Sequence, residues 1–266
     1  MGDRSNGERP PPAILAVAAL SVILLVVPLV GLLVRAPWSG LGRLLSGDDV
    51  RGALGVSLVS SLCAALLCAV LGLPLAWLLA RWAFPGRRLL RALAILPMVM
   101  PPVVGGIALL TAFGRAGLAG RWLDRWFGIT LPYSMAGVVL AETFVALPFL
   151  VVTAEAAFRS TDRRLEDAAR TLGAGRWTVL RRIVLPATAP SLAAGLVLCW
   201  ARALGEFGAT ITFAGNFPGR TRTMPIAIYL AFQSRPEEAI ALSLVLLTVS
   251  VTVLVVLRDR WLGALR

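Results

Sequence analysis

Two residue types are missing from this chain. All 26 basic side chains are arginine, and there is neither lysine nor histidine. Without lysine the chain cannot form a phosphate-binding loop of the G-x-x-x-x-G-K-[ST] type, nor a Schiff base. Without histidine it lacks an imidazole base, a haem ligand of that type and a histidine-based zinc site. The chain therefore cannot bind ATP in the P-loop manner.

Cysteine is also scarce. Cys63, Cys68 and Cys199 fall in apolar stretches and form no C-x-x-C pair. Such cysteines are most often small buried hydrophobic residues. No metal site and no cofactor is predicted from them.

Charged residues make up only 15% of the chain, whereas 58% is hydrophobic and the mean hydropathy is +0.82. Soluble domains are roughly 45–50% apolar, so this composition indicates a membrane protein. About 20 apolar residues are needed to cross a bilayer as a helix. Six segments qualify, and the first is expected to remain as an anchor rather than a cleaved signal peptide. The predicted spans are 13–34, 53–80, 92–113, 135–154, 187–212 and 237–257.

The gaps between these spans differ in arginine content, which sets an orientation. The N-terminal tail, the 81–91 and 155–186 gaps and the C-terminal tail hold 16 arginines, and the other three gaps hold 9. By the positive-inside rule both termini and the 155–186 segment are predicted to be cytoplasmic. The net charge of +12 is then explained by topology and not by nucleic-acid binding.

The third span contains an unusual run of helix-breaking residues, "ILPMVMPPVVGG". Pro101, Pro102 and Gly105 lie within it. Backbone groups freed at that depth must be buried in protein or face water. The segment is either a kinked packing helix or part of a substrate pathway, for which broken helices are the usual sequence pointer.

The 155–186 gap is a charged segment with its own pattern, "DRRLEDAARTLGAGRWTVLRRIVLP". Leu165, Ala168 or Ala169, and Leu172 recur at helical spacing, and Gly173 is suited to a left-handed helix end. A second short helix is expected after it, with Trp177, Leu180, Ile183 and Val184 as its apolar set and Pro186 as its stop. By periodicity alone, an amphipathic cytoplasmic loop helix lying on lipid headgroups is the favoured interpretation.

The residues of this segment resemble the EAA loop of the membrane subunits of binding-protein-dependent ABC importers. Asp167 stands in the Glu position, preceded by Glu166, and the spacing to the later residues matches throughout. The resemblance implies a short helix that docks on a cytoplasmic ATPase and transmits its closure. It assigns ATPase coupling to Glu166, Asp167, Ala168, Ala169, Gly173, Ile183, Leu185 and Pro186.

A second stretch, "RALGEFGATITFAGNFPGRTRTMPIAIY" at 202–229, is similar to molybdate permeases. Sulfate permeases share its first seven residues, so tungstate and sulfate stay open as substrates. The resemblance implies two copies of the chain, two ATPase subunits and an extracytoplasmic molybdate-binding protein, all assembled around the lipid bilayer without nucleic acid.

Charged residues inside the spans are candidates for the pathway. Arg202 and Glu206 are four residues apart on one helix face, as either an internal ion pair or a direct anion contact. Gly205 and Gly208 suit close packing, at a dimer seam or within one subunit. Glu142 has no sequence-local partner, and it should face protein or water.

The outward gap "AGNFPGRTRTMP" offers hydrogen-bond donors beside a Pro-Gly turn. Asn216, Arg220 and Arg222 either form a positive outer mouth that meets the binding protein or belong to a solvated connection.

The sequence thus predicts an all-α polytopic membrane protein, and the resemblance implies the type I importer permease fold. Its parts are a tail and first helix (1–34), a five-helix permease core (53–257) and the coupling loop (155–186) within that core. The alternatives are an integral membrane enzyme, such as a lipid-modifying transferase, and a passive channel. Copurification of an ATPase would distinguish the importer from both.

Overall fold

The computed structural model describes residues 11–263, and within this range the chain is helical without any strand. The predicted tail at 1–10 and residues 264–266 lie outside the described residues. A π-helical turn at Leu180–Val184 joins the helices Arg176–Val179 (α9) and Leu185–Leu204 (α10). The helices are α1 (Pro12–Val34), α2 (Leu41–Leu45), α3 (Asp48–Arg81), α4 (Arg87–Val99), α5 (Pro102–Phe113), α6 (Gly120–Phe127), α7 (Met135–Ser160), α8 (Arg163–Thr171), α9 (Arg176–Val179), α10 (Leu185–Leu204), α11 (Gly208–Ala214), α12 (Met224–Ser234) and α13 (Pro236–Gly263).

Five helical segments in the described range are long and apolar enough to cross a membrane. They are α1, α3, α7, the continuous helix Arg176–Leu204 and the first part of α13. A sixth span results if α4 and α5 count as one bent crossing. The all-helical prediction is therefore confirmed.

The centre of the bundle is α7, which packs against α3, α10, α4 and α11. Small side chains dominate the contact, so the helix backbones can approach closely, as is usual between membrane helices. The fully buried members of the α3–α7–α10 contact are Ala64, Cys68, Ala146, Leu150, Cys199 and Ala203.

Helix α1 is different, because none of its residues is buried in the chain. Such a helix is suited to lipid on all sides. Cys63, on α3, is likewise exposed, which corrects the expectation that all three cysteines are buried. Its neighbours Val59, Leu62 and Leu66 are exposed as well, so this face of α3 is apolar and outward-facing.

The crossing predicted at 92–113 is sharply bent, as its prolines and glycines indicate. The chain forms two helices, α4 and α5, at an angle of 119°. Pro101 and Pro102 provide no backbone N–H, and a proline disfavours the helical conformation in the preceding residue. Met100 accordingly has φ −74° and ψ 136°, which ends α4.

The helix predicted at 187–212 is wrong at both ends. The helix begins at Arg176, passes through Pro186 and ends at Leu204, before a break at Gly205–Phe207. Pro186 does not stop it, because the N–H of Leu185 bonds to the carbonyl of Leu180 in the wide π-helical turn. A π turn shifts the bonding register and so accommodates the missing proline donor.

The two breaks in the spans meet each other. A Cβ at Gly208 would lie 2.9 Å from the Cβ of Pro102, and one at Gly106 would lie 2.6 Å from the Cβ of Thr212. Only glycine leaves room for backbones this close. The starts of α5 and α11 therefore cross in direct contact, and each covers the irregular backbone of the other.

Candidate coupling helix and polar centre

The charged segment forms the helix α8 and a turn. The Oδ1 of Asp162 accepts a hydrogen bond from the N–H of Arg164 at 2.9 Å, which caps the start of α8. Gly173 follows the helix with φ +88°, the left-handed conformation expected from the sequence. The N–H of Gly173 bonds to the carbonyl of Arg170, so the turn closes α8 before α9 begins.

Glu166 connects α8 to the membrane spans. It is 4% exposed and forms an ion pair with Arg81 at the end of α3. Arg81 also lies over the ring of Trp77, 5.4 Å from its centroid, and Trp77 packs edge-on against Phe158 of α7. This chain of contacts fixes the position of α8 beneath α3 and α7.

The opposite face of α8 is open. Leu165 is 54% exposed and Leu172 is 89% exposed, beside the exposed Asp167 and Ala168. Large apolar side chains left uncovered at a helix surface indicate a protein or lipid contact. The apolar positions found by periodicity thus form an outward surface.

Three of the other predicted coupling residues lie on the inner side of the segment. Ala169, Ile183 and Leu185 pack against the buried cluster around Leu79 and Phe158, whereas Pro186 is exposed. Trp177 is 69% exposed, so it does not join Leu180 and Ile183 against the core.

A second ionic cluster joins α4 to α7 on the same side of the bundle. The guanidinium of Arg91 donates from Nη2 to Oε1 of Glu155 at 2.6 Å and from Nε to both carboxylate oxygens at 3.2 Å. Arg159 reaches Oε1 of Glu155 at 2.8 Å. Glu155 therefore accepts from two arginines and holds the first half of the broken span in place.

Inside the spans, Ser60, Glu142, Arg202 and Glu206 form what we call the polar centre. The hydroxyl of Ser60 donates to Oε1 of Glu142 at 2.8 Å, and Oε2 of Glu142 is buried without a hydrogen-bond partner among the described residues. Arg202 Nη2 lies 2.6 Å from Oε2 of Glu206. Both glutamates are 1% exposed.

Glu206 has two structural roles. One of its oxygens pairs with Arg202, and the other accepts a hydrogen bond from the N–H of Ala209 at 2.8 Å. The second contact satisfies the first turn of α11 directly after the helix break. Its carboxylate therefore stabilises a backbone interruption that lipid would not tolerate.

The other predicted pathway residues lie around this centre. Pro101, Pro102 and Gly205 are exposed, whereas Gly105 and Gly208 are buried. Gly208 abuts Pro102 of the same chain.

The predicted outer residues form a compact loop. Arg222 Nε donates to the side-chain oxygen of Asn216 at 2.9 Å, while Arg220 is exposed. The buried hydroxyl of Thr221 accepts from the N–H of Phe217 at 3.0 Å. The loop is thus held by its own polar side chains.

Sequence reasoning did not identify Ser57 and Ser60. Both are buried in α3, and Ser57 accepts a hydrogen bond from the N–H of Met224 at 2.7 Å at the start of α12. The signal was the pair of closely spaced serines in "SLVSSL" within a span. Among residues 11–263 there is no group of three or more cysteine, aspartate or glutamate side chains that could hold a metal ion.

Comparison with known proteins gives consistent results. The family model described as "Binding-protein-dependent transport system inner membrane component" matches residues 72–265. The "Molybdenum transport system permease protein ModB" of Mycobacterium tuberculosis is 46% identical over 236 residues, 89% of each chain. The "Sulfate transport system permease protein CysT" of Escherichia coli is 37% identical over 214 residues, 79% of this chain and 77% of that protein.

A solved structure shares the fold. One chain of a bacterial alginate ABC transporter, in complex with an alginate pentasaccharide-bound periplasmic protein, superposes with a TM-score of 0.76. The two chains are 20% identical, and the match covers 92% of this chain and 91% of the other.

The Arg81–Glu166 pair gives a first testable prediction. In Arg81→Gln the buried carboxylate of Glu166 loses its main partner, and breaking a buried pair costs about 3–5 kcal/mol. We expect amide hydrogen exchange at 163–172 to accelerate at least about tenfold, measured by mass spectrometry on the detergent-solubilised chain. Arg164→Gln, which changes an exposed arginine of α8, is the control. Adding Glu166→Gln to Arg81→Gln should restore much of the protection from exchange. Unchanged exchange in Arg81→Gln would contradict the conclusion that the Arg81–Glu166 pair holds α8 against α3.

Proposed function

The chain belongs to the family of binding-protein-dependent transport system inner membrane components, and we propose that it forms the membrane pathway of an importer for molybdate. It is a multi-pass membrane protein and a permease subunit of the ABC importer class, not an enzyme. ATP hydrolysis belongs to the partner ATPase of such a system.

The observation that carries the coupling role is the two-sided character of α8. Leu165, Ala168 and Leu172 are exposed on its outer face. On its inner face, Glu166 forms an ion pair with Arg81 of α3. A docking helix needs both an apolar surface for its partner and a rigid attachment to the element it moves. We assign the outer face to the ATPase, so the segment is cytoplasmic in this proposal. With α4–α5 counted as one of six crossings, both termini lie on the same side, in agreement with the arginine distribution.

The polar centre is the proposed location of the pathway. It lies where the broken spans α4–α5 and α10–α11 meet, and such breaks near the middle of a membrane protein commonly border a substrate route. Pro101, Pro102 and Gly205 are exposed beside it. In the proposed homodimer, this surface faces the second copy, and the two copies together enclose the route.

Arg202 has an assigned role in this pathway. Its guanidinium neutralises the buried Glu206, and its side chain stays 27% exposed. An arginine that is already ion-paired attracts an oxyanion only weakly. Weak attraction favours passage of the anion over tight binding. At the outer end, Arg220 and Arg222 form a positive mouth for an anion delivered by the binding protein.

Molybdate is favoured over sulfate as the substrate. Identity to the molybdenum permease is 46% over 89% of this chain, against 37% over 79% for the sulfate permease. The similarity of 202–229 to molybdate permeases supports the same choice. Tungstate, a larger relative of the same charge and shape class, is the second candidate. Selection occurs mainly in the extracytoplasmic binding protein.

Gly173 provides a test of the coupling role. We expect Gly173→Val to reduce the amount of ATPase that copurifies with this chain at least tenfold, because a β-branched residue does not adopt φ +88° without strain. Gly175→Ala is the matched control, since Gly175 has φ −67° and open space around it. Full ATPase recovery with Gly173→Val would count against docking through α8.

Substrate choice is tested by uptake. A strain that lacks this chain should lose accumulation of radiolabelled molybdate, and a plasmid copy should restore it. We expect a hundredfold excess of unlabelled sulfate to leave uptake largely unchanged, whereas tungstate should compete. Strong competition by sulfate would replace molybdate with sulfate as the proposed substrate.

The role of Arg202 is tested by one single and one double variant. Arg202→Gln leaves a buried carboxylate unpaired, so molybdate uptake should fall at least tenfold while the complex still assembles. Arg202→Gln/Glu206→Gln should recover part of the uptake, because the amide oxygen of glutamine can still accept from Ala209. An inactive, fully assembled double variant would instead indicate direct contact between Arg202 and the anion.

A further inference from the structure

A cavity of about 380 Å³ lies where α3 ends and α4 begins, against the end of α7. Four arginines line it, together with Phe84 and Gly86; they are Arg87, Arg88, Arg91 and Arg159. It is on the same side of the bundle as α8, because Arg81 of α3 is paired with Glu166. The cavity is apart from the polar centre, so the proposed transport route does not account for it.

The cavity has more positive charge than the protein neutralises. Glu155 pairs with both Arg91 and Arg159. Arg87 donates from Nη2 to the backbone carbonyl of Leu79, and its Nε is buried without a hydrogen-bond partner among the described residues. Arg88 is exposed and has no ion pair within residues 11–263. One carboxylate therefore faces four guanidinium groups.

The start of α4 adds to this positive field. The helix begins at Arg87, directly after Gly86 with φ +86°, and no side chain caps it. The first turn of a helix carries unpaired N–H groups and a partial positive charge, which favour an anion. Helix terminus, cavity and arginines all lie in one place.

Apolar surface adjoins the charges. Trp82 is 63% exposed and Leu89 is 65% exposed, one on each side of the α3–α4 turn. Tryptophan and arginine together are typical of the membrane–water interface. A ligand with an anionic head and an apolar tail matches this combination better than a small free ion does.

We propose that this cavity binds a phosphate-class oxyanion, namely the phosphate of an anionic phospholipid headgroup in the leaflet on the α8 side. Basic pockets between membrane helices suit such headgroups. Here the headgroup would supply the negative charge that Arg87 and Arg88 lack, and so hold the α3–α4 turn next to the end of α7. The proposal is independent of which anion is transported.

The test uses the full chain in detergent, with native mass spectrometry of bound phosphatidylglycerol and of phosphatidylcholine. We expect the wild-type chain to retain phosphatidylglycerol preferentially. Arg88→Gln should lower that retention about fivefold, as expected for roughly 1 kcal/mol per interfacial arginine, and Arg87→Gln/Arg88→Gln should lower it further. Because Arg88 has no ion pair in the chain, the single variant should fold normally, which the melting temperature will check.

The double variant Arg181→Gln/Arg182→Gln is the matched control, since it removes two exposed arginines elsewhere on the same chain. It should retain phosphatidylglycerol as the wild type does. Equal loss in this control, or no preference for phosphatidylglycerol in the wild type, would overturn the proposal.

A second arm separates the lipid from a free anion. Inorganic phosphate and molybdate are titrated calorimetrically into the delipidated chain. Weak or undetectable binding of both supports the lipid. If either ion binds tightly and Arg88→Gln removes that binding while lipid retention is unchanged, the cavity is a free-oxyanion site and the lipid proposal is wrong.

Discussion

A bilayer core offers no water to a broken helix, and this constraint governs the centre of the molecule. Every interruption of a span must be satisfied by the chain itself. The bend between α4 and α5 and the break that follows Leu204 are placed against each other through Gly106 and Gly208. Glu206 completes the arrangement, because it accepts from the N–H of Ala209 and pairs with Arg202. One buried carboxylate thus satisfies both a helix start and a membrane-embedded cation.

The exclusive use of arginine fits the contacts at the α8 side of the bundle. Arg91 contacts both oxygens of Glu155, Arg81 combines an ion pair with contact to a Trp ring, and Arg87 reaches a backbone carbonyl. A guanidinium can do this because it is planar, always charged and carries five donors. Lysine, a compact point charge with three donors, could not replace these contacts equally. Arginine therefore serves both as a topological signal and as a structural connector between helices.

The sequence predicted helices and helix ends correctly where a single local residue pattern determined them. Apolar length predicted the helical spans, and glycine at 173 predicted the left-handed turn that the structure contains. The prediction of helix ends failed where two local tendencies of the backbone competed. Pro186 normally ends a helix, but the π-helical turn before it lets the helix continue from Arg176 to Leu204. At 92–113 the prolines and glycines did indicate the bend, whereas at 187–212 apolar length suggested a single helix although the helix ends at Leu204.

Contacts between distant segments could not be read from the sequence. Ser60 and Glu142 are 82 residues apart, and four helices, α4 to α7, lie between Arg81 and Glu166 in the chain. No local pattern pairs such residues, because the partner depends on how α3 and α7 pack. Sequence spacing did predict the i, i+4 contact of Arg202 and Glu206, and the same spacing holds for Glu155 and Arg159.

The continuity of the helix through Pro186 bears directly on the proposed coupling. Two long elements connect α8 to the polar centre. One is α3, which carries Arg81 at one end and Ser60 along its length; the other is the helix Arg176–Leu204, which starts near Gly173 and ends beside Arg202. Arg176 and Arg202 are about 39 Å apart at 1.5 Å per residue, so displacement at one end of a stiff helix reaches the other. Under the proposed function, movement of α8 acts on Ser60–Glu142 through α3 and on Arg202–Glu206 through the second helix. A helix that stopped at Pro186 would leave only the first connection, and the ion pair next to the break would not respond to the ATPase.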